Sequence, residues 1–238
     1  MLCQIADLLV DVPAAGDLVP RCKAYLCEDE GISREPDIKI CTERFREGAW
    51  NGLTGNSYVY LESGAHFQTQ LLQYDGIVLH SSAAVVDGKA YLFSAPCGTG
   101  KSTHTRLWKV LFGDKASIIN DDKPALRRID GRWYVYGTPW CGKDGININA
   151  KAELAGICFL KQAKRNSIRR LSVQEALQKT LWQTINKFKK EERADRMLSL
   201  LEKLVCEIPV FELENRPELD AAKLSYETMY RAAQEIGL

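Results

Sequence analysis

Apolar residues follow two spacings along the chain, and each spacing predicts a different element. Short apolar runs that end at glycine, proline or aspartate are typical of strands, whereas apolar residues recurring every three or four positions are typical of helices. The runs predict strands over residues 4–12, 24–27, 37–41, 77–79, 83–86, 90–94, 116–122, 126–129, 133–136, 154–161, 167–171 and 208–213. The helical spacing predicts helices over residues 63–74, 103–112, 173–189, 191–205 and 217–236. The interleaving of both kinds predicts an α/β chain.

Turn residues mark where several of the predicted strands end. An Asp-Gly pair at 87–88 and another at 130–131 each separate two predicted strands, so we expect two hairpins. The second arm of the first hairpin is the strand at 90–94. His80 is expected on the strand beside it, close to whatever follows residue 94. A structural role for this histidine is the alternative.

A capping signal marks the start of the predicted helix at residues 173–189. Ser172 followed by Glu175 fits a capping box, and the apolar face of the helix is expected to consist of Leu177, Leu181, Trp182 and Ile185. The basic run at residues 187–190 is interpreted as a solvated helix face, with contact to an acidic peptide as the alternative.

Composition narrows the classes of function. The net charge is +1, so no global field favours nucleic acid or an anionic membrane as a partner. No apolar run approaches the ~20 residues of a membrane-spanning helix. The eight cysteines form no C-x-x-C pair, and the N-terminal residues lack a basic region typical of export signals. We therefore expect reduced thiols and a cytoplasmic protein.

The segment YLFSAPCGTGKST at residues 91–103 has the form G-x-x-x-x-G-K-[ST], with Ala95 at the first glycine position. Gly98 and Gly100 permit a compact turn in which backbone N–H groups converge on phosphate oxygens. Lys101 can reach the β- and γ-phosphates, and Ser102 is suited to bind Mg²⁺. The sequence thus predicts a site for ATP and Mg²⁺; a glycine-rich turn without a ligand is the alternative. The predicted nucleotide-binding residues are Ala95, Pro96, Cys97, Gly98, Thr99, Gly100, Lys101, Ser102 and Thr103.

Two acids follow the predicted strand at 116–122. A carboxylate at the end of a strand near a phosphate-binding loop commonly holds Mg²⁺. Adjacent residues on an extended segment point to opposite faces, so one acid can bind the metal while the other accepts the proton of an attacking hydroxyl. We assign Asp121 to the metal and Asp122 to the base; the reverse assignment and a solvated turn before Pro124 are the alternatives.

A second glycine-rich segment covers residues 136–149. Lys143 is a candidate cation for the transferred phosphoryl group, and Trp140 is expected to form a wall of the site. An ordinary surface loop is the alternative interpretation.

Taken together, these motifs resemble the HPr kinase/phosphorylase catalytic domain and its relatives, which have the phosphoenolpyruvate-carboxykinase type of nucleotide fold. The residues that carry the resemblance are His80, residues 95–103 and residues 120–122. Residues 137–143 look like the loop of a divergent subgroup found in peptide-modification gene clusters. The resemblance covers residues 74–161.

The resemblance implies a twisted mixed sheet with a helix after the phosphate-binding loop, followed by C-terminal helices. It also implies that His80 is an active-site histidine and that Asp121 and Asp122 divide the metal and base roles. The stretch at residues 135–140 lacks the acidic and arginine members of the family's second signature. Recognition of HPr itself and the reverse phosphorylase reaction are therefore not implied.

With no repeat or long linker in the pattern, we expect residues 1–238 to form one kinase-like domain. Its parts are a β-rich lobe (1–73), a nucleotide-binding core (74–161) and a helical part (162–238). We expect an ATP- and Mg²⁺-dependent kinase that phosphorylates a hydroxyl of a peptide or protein, with Asp122, His80, Lys143 and Lys101 as catalytic residues. A small-molecule acceptor, GTP in place of ATP and a homo-oligomer stay open. The rival hypothesis is a non-catalytic ATP-binding module that recognises a leader peptide or a partner enzyme.

Overall fold

The structure is a computed structural model, and it describes residues 1–27, 34–41, 55–184 and 191–238. The strands in these ranges are β1 (Leu2–Ile5), β2 (Leu8–Asp11), β3 (Ile38–Lys39), β4 (Gly76–Val78), β5 (Ser81–Val86), β6 (Lys89–Ser94), β7 (Ala116–Asn120), β8 (Ala125–Ile129), β9 (Arg132–Tyr136), β10 (Lys151–Gln162), β11 (Ser167–Arg170) and β12 (Val210–Asn215). The helices are α1 (Leu18–Cys22), α2 (Gly55–Leu71), α3 (Lys101–Phe112), α4 (Val173–Gln183), α5 (Glu191–Glu207) and α6 (Leu219–Glu235).

A small sheet of β1, β2 and β3 begins the chain. The single strand predicted at 4–12 is wrong, because Ala6 and Asp7 both adopt a left-handed conformation and reverse the chain between β1 and β2. The strand predicted at 24–27 is also wrong. A 3₁₀ turn covers Lys23–Tyr25, and only Leu26 bridges to Cys3.

The large sheet is mixed and curled. Its order is β4-β8-β9-β10-β6-β5-β7, and β12 with β11 joins it beside β10. Strand β10 is long enough to pair with β6 on one edge and with β9 and then β12 on the other. The curl brings the segment before β10 against β7, where the Ile148 N–H donates to the Ile119 carbonyl. Gly137 lies in this contact, since a Cβ there would come within 1.9 Å of the Ile148 oxygen.

Both predicted hairpins are confirmed. Val86 pairs with Lys89, and Ile129 pairs with Arg132. All four turn residues, at 87–88 and 130–131, have positive φ. Aspartate and glycine tolerate this conformation, which explains why the sequence signal is reliable here.

Helices α2 and α4 differ most from their predicted bounds. Helix α2 begins at Gly55 rather than after Glu62. The capping box of α4 is present, but α4 ends at Gln183, because Thr184 leaves the helical conformation. Trp182 is 78% exposed rather than buried. Ile185, the predicted end at residue 189 and the basic run at 187–190 lie outside the described residues.

The buried side chains form three groups. One lies between the curled sheet and α5, where Met197, Leu200, Leu201 and Leu204 are buried as predicted. A second joins the small sheet to α2, and a third packs α3 and α6 against β6 and β10. Among the described helices, none combines the length and the apolar character needed to cross a membrane. The division of the chain into one domain of three parts stays a prediction.

Candidate functional site

The carboxyl ends of three strands and the start of a fourth lie at the same edge of the curled sheet. Strands β6 and β10 run parallel, and β6 and β7 both run antiparallel to β5, so all three have their carboxyl ends at this edge. The residue before β5, His80, lies at the same edge. Predicted site residues 80, 95–103 and 121–122 are therefore brought together by the topology.

The glycine loop (residues 95–100) follows β6. Gly98 and Gly100 have φ values of 78° and 112°, which residues with a Cβ rarely adopt. Ala95 is buried and has no positive φ, as expected from the absence of a glycine there. Pro96, Cys97 and Gly98 are exposed. The loop and the end of β10 line an open groove of about 440 Å³, formed by residues 96–99 and 160–162.

Helix α3 begins at Lys101, two residues earlier than predicted, and its N-cap is Gly100. No side chain caps this end, whereas Ser172 caps α4. The N–H groups of the first turn of a helix have no intrahelical acceptors, and together with the helix dipole they favour an anion. Ser102 is half-buried and Thr103 is exposed in this turn.

Lys101 folds back across the glycine loop. Its side chain is buried, and Nζ donates to the carbonyl of Ala95 at 2.8 Å. Burial lowers the pKa of Lys101, while the negative charge of Asp122 acts in the opposite direction. Asp122 is therefore within electrostatic reach of the lysine that is predicted to bind phosphate.

Asp122 is held by two cationic or donor groups. His80 Nε2 lies 3.1 Å from Oδ1, and Lys123 Nζ lies 2.6 Å from Oδ2. Burial alone would raise the pKa of Asp122. The hydrogen bond from His80 and the charge and hydrogen bond of Lys123 outweigh that effect and bring the pKa to about 2. The carboxylate is thus ionised at neutral pH and serves as a strong hydrogen-bond acceptor.

Asn120, the last residue of β7, makes the chain turn between the two acids. Its Oδ1 accepts the N–H groups of Asp122 at 2.9 Å and Lys123 at 2.7 Å. Its Nδ2 donates to the carbonyls of Thr138 and Trp140. The two acids lie just beyond β7 rather than on it, and the turn directs them to different partners.

Asp121 faces the segment between β9 and β10. Its Oδ1 accepts the Gly142 N–H at 2.6 Å, and a Cβ on Gly142 would lie 2.9 Å from Oδ2. Burial raises the pKa of Asp121, and the Gly142 hydrogen bond opposes the rise. Among the described residues, no group of three His, Cys, Asp or Glu side chains is arranged to hold a metal ion. A carboxylate and a hydroxyl, as in Asp121 and Ser102, are nevertheless a donor set that suits Mg²⁺ when phosphate oxygens and water complete the shell.

His80 does not lie on a strand, contrary to the prediction. It occupies the break between β4 and β5. Its backbone N–H donates to the Gln183 carbonyl at 3.0 Å, and its carbonyl accepts from Ser94 Oγ at 2.8 Å. The strand prediction failed because β4 and β5 pair with different neighbours, β8 and β6, so the chain must bend between them.

The two residues predicted in the second glycine segment have different environments. Lys143 is exposed. Trp140 is buried, stacks on Phe67 of α2 at 4.7 Å and donates from Nε1 to Ser63 Oγ. The tryptophan ring therefore packs in the core beneath α2, and its predicted place as a wall of the site is wrong.

Three residues near the acids were not predicted. Lys123 contacts Asp122, and its Nζ lies 5.9 Å from the centroid of the Tyr60 ring. Arg21 donates to the Cys141 carbonyl at 2.9 Å and stacks over the same ring. Lys123 is adjacent to the two acids in sequence and could have been found. Arg21 and Tyr60 are far from them, and no local pattern marks their approach.

Comparisons with known sequences and with solved structures give different results. No protein-family model matches the chain, and no curated protein matches it. Among solved structures, that of the Hpr(Ser) kinase/phosphatase from Coxiella burnetii aligns with 66% of this chain and 90% of that chain, at 13% identity and a TM-score of 0.37. The relationship is distant, and we draw no conclusion about activity, ligands or site residues from a similarity of this size.

Proposed function

We propose that the chain is an ATP- and Mg²⁺-dependent kinase that transfers the γ-phosphoryl group to a hydroxyl. The proposal rests on the arrangement of groups at one edge of the sheet. There a helix of 12 residues begins without a side-chain cap behind a turn with two positive-φ glycines, and a buried lysine and an ionised aspartate lie beside it. An uncapped helix end, a lysine and a carboxylate are the parts that phosphoryl transfer requires.

Each residue has a role in this proposal. The N–H groups of the glycine loop and of the first turn of α3 bind phosphate oxygens, and Lys101 exchanges the Ala95 carbonyl for a phosphate. Ser102 and Asp121 hold Mg²⁺, which neutralises charge on the phosphates. Asp122 accepts a hydrogen bond from the acceptor hydroxyl and orients it. A carboxylate of such low pKa contributes mainly through orientation rather than through basicity.

His80, Lys123 and Lys143 are the remaining donor groups that can face the transferred group. His80 and Lys123 both contact Asp122, so they lie next to the position at which the hydroxyl would bind. Lys143, which is exposed, is free to approach an acceptor from solvent. A serine or threonine of a peptide or protein is the acceptor that an open, exposed loop favours.

Phosphorylation assays test the proposal directly. The purified protein is incubated with ATP, Mg²⁺ and candidate peptides, and products are analysed by mass spectrometry. We expect one peptide to gain the mass of one phosphate. Asp122→Asn should abolish the gain while leaving ATP binding largely intact, because the variant loses the negative charge that holds and orients the acceptor hydroxyl, and residue 122 lies outside the glycine loop.

Asp114→Asn is the matched control, since Asp114 is fully exposed at the far end of α3. It should phosphorylate like the wild type. Tight ATP binding without transfer to any acceptor would instead indicate a non-catalytic nucleotide-binding module. Absence of ATP binding would contradict both interpretations.

A further inference from the structure

A single residue at the end of α4 holds the ring of His80. Gln183 Oε1 lies 3.0 Å from His80 Nδ1, and the Gln183 carbonyl accepts the His80 N–H at 3.0 Å. We propose that Gln183 is a positioning residue, which acts through His80 by directing Nε2 at Asp122. This inference rests on the proposed function of the site, although the contact itself can be tested without it.

The His80 ring is fixed through both of its nitrogens. Nδ1 faces the Gln183 amide oxygen, and Nε2 faces Asp122 Oδ1 at 3.1 Å. The backbone is fixed as well, since Ser94 Oγ donates to the His80 carbonyl and the next residue, Ser81, donates its N–H to the Asp122 carbonyl. With the backbone held, the two ring contacts set the orientation of the imidazole, and Gln183 supplies the one at Nδ1.

The end of α4 explains why Gln183 is available. The last carbonyls of a helix lack intrahelical donors. Because α4 ends at Gln183, the carbonyl of that residue can accept the N–H of His80. The side chain of the same residue reaches the ring, so one residue supplies both contacts. Substitution of the side chain leaves the main-chain contact in place, which separates the two effects experimentally.

A neutral acceptor fits this site better than a charged one. A carboxylate in place of the Gln183 amide would also accept from Nδ1, but it would place a third negative group near Asp121 and Asp122. It would thereby repel the phosphates that the site is proposed to bind. The amide orients the ring without adding charge. We therefore expect Gln183→Glu to keep the ring orientation but to weaken ATP binding.

Nuclear magnetic resonance of the nucleotide-free protein tests the contact. Long-range ¹H–¹⁵N spectra report both ring nitrogens of the three histidines, and His80→Gln assigns the resonances of His80. We expect a clear displacement of the Nδ1 resonance in Gln183→Leu relative to the wild type, and retention of the wild-type position in Gln183→Glu. Gln178→Leu, an exposed glutamine of the same helix, is the control and should leave the resonance in place. No displacement in Gln183→Leu, or an equal displacement in Gln178→Leu, would overturn the proposal.

Kinetics test whether the contact positions His80 for the reaction. Gln183→Leu should lower kcat by about 10- to 100-fold with little change in the KM for ATP, which is the scale expected from misplacing a group near the reacting atoms. In a His80→Gln background the same substitution should have no further effect, because Gln183 acts through His80. Additive losses, or an unchanged kcat in a wild type that is active, would overturn the positioning role. An inactive wild type with the expected Nδ1 shifts would count against the proposed kinase function and would leave Gln183 with a structural contact only.

Discussion

His104 should make the stability of the protein depend on pH. The ring lies inside the contact of α3 with α6, where it is 1% exposed and 4.6 Å from the ring of Phe93. Its Nε2 lies 3.0 Å from Ser225 Oγ, an atom that also accepts the indole N–H of Trp108 and donates to the Ala222 carbonyl. Within the described part of the chain, Nδ1 has no hydrogen-bond partner. A second proton on this ring would be buried without an acceptor.

The size of the stability loss follows from the pKa of His104. Burial lowers the pKa of His104 from 6.5 to about 4, so the unfolded chain binds a proton more readily than the folded one. Stability contributed by the neutral ring is therefore complete above pH 6.5 and is lost as the pH falls towards 4. Linkage gives a loss of about 2 kcal/mol at pH 5 and about 3 kcal/mol below pH 4.

Urea unfolding at pH 7 and pH 5 measures this loss. Other groups also titrate in this range. The informative quantity is therefore the difference in the free energy of unfolding between the wild type and His104→Gln. We expect that difference to move by about 2 kcal/mol in favour of the variant between pH 7 and pH 5. Val110→Gln, a change at an exposed residue of the same helix that removes no titratable group, is the control and should follow the wild type. A difference between the wild type and His104→Gln that stays constant with pH would refute the reasoning.

Three further substitutions test other parts of the structure. Lys101→Met should weaken ATP binding by about tenfold or more in calorimetry, because the charge-assisted contact with phosphate is lost, while the melting temperature changes little. Trp140→Ala should lower the free energy of unfolding by about 3–5 kcal/mol in urea titrations, because the stack on Phe67 and the hydrogen bond to Ser63 disappear; a loss below 1 kcal/mol would show that the ring is not in the core. Gly142→Ala should raise the Mg²⁺ concentration needed for half-maximal phosphorylation, because its Cβ would lie 2.9 Å from Asp121 Oδ2 and displace the carboxylate; an unchanged requirement would argue against Asp121 as a metal ligand.

Local chemistry explains which elements the sequence predicts well. The Asp-Gly turns, the capping box at Ser172 and the strand before the glycine loop all depend on residues close in sequence. Contacts distant in sequence explain the failures. Trp140 has the composition of a loop wall, yet its place is decided by Phe67 and Ser63 on a helix far earlier in the chain.

The candidate site shows the same division. Residues 95–103 form a loop and helix start whose geometry follows from two glycines, and this was predictable. The partners of Asp122 were only partly predictable, because His80 was singled out for its nearness to the loop and not for contact with the acid. No sequence pattern predicts the contact of Gln183 with His80, because the two residues are 103 positions apart in the chain. Pairings of this kind depend on how helices pack on the sheet, which a local pattern does not encode.

The charges at the sheet edge bear on how the site would bind its ligands. Lys101 and Lys123 already have internal partners, the Ala95 carbonyl and Asp122. Two carboxylates, Asp121 and Asp122, balance these two ammonium groups. Among these four groups, a triphosphate entering alone would therefore meet no excess of positive charge and would approach two acids. A divalent cation reverses that balance, since Asp121 then becomes a ligand instead of a repulsive group. Under the proposed function, the acids of the site thus favour the metal complex of the nucleotide over the free nucleotide, and the helix end and Lys101 orient the phosphates once the charge is neutralised.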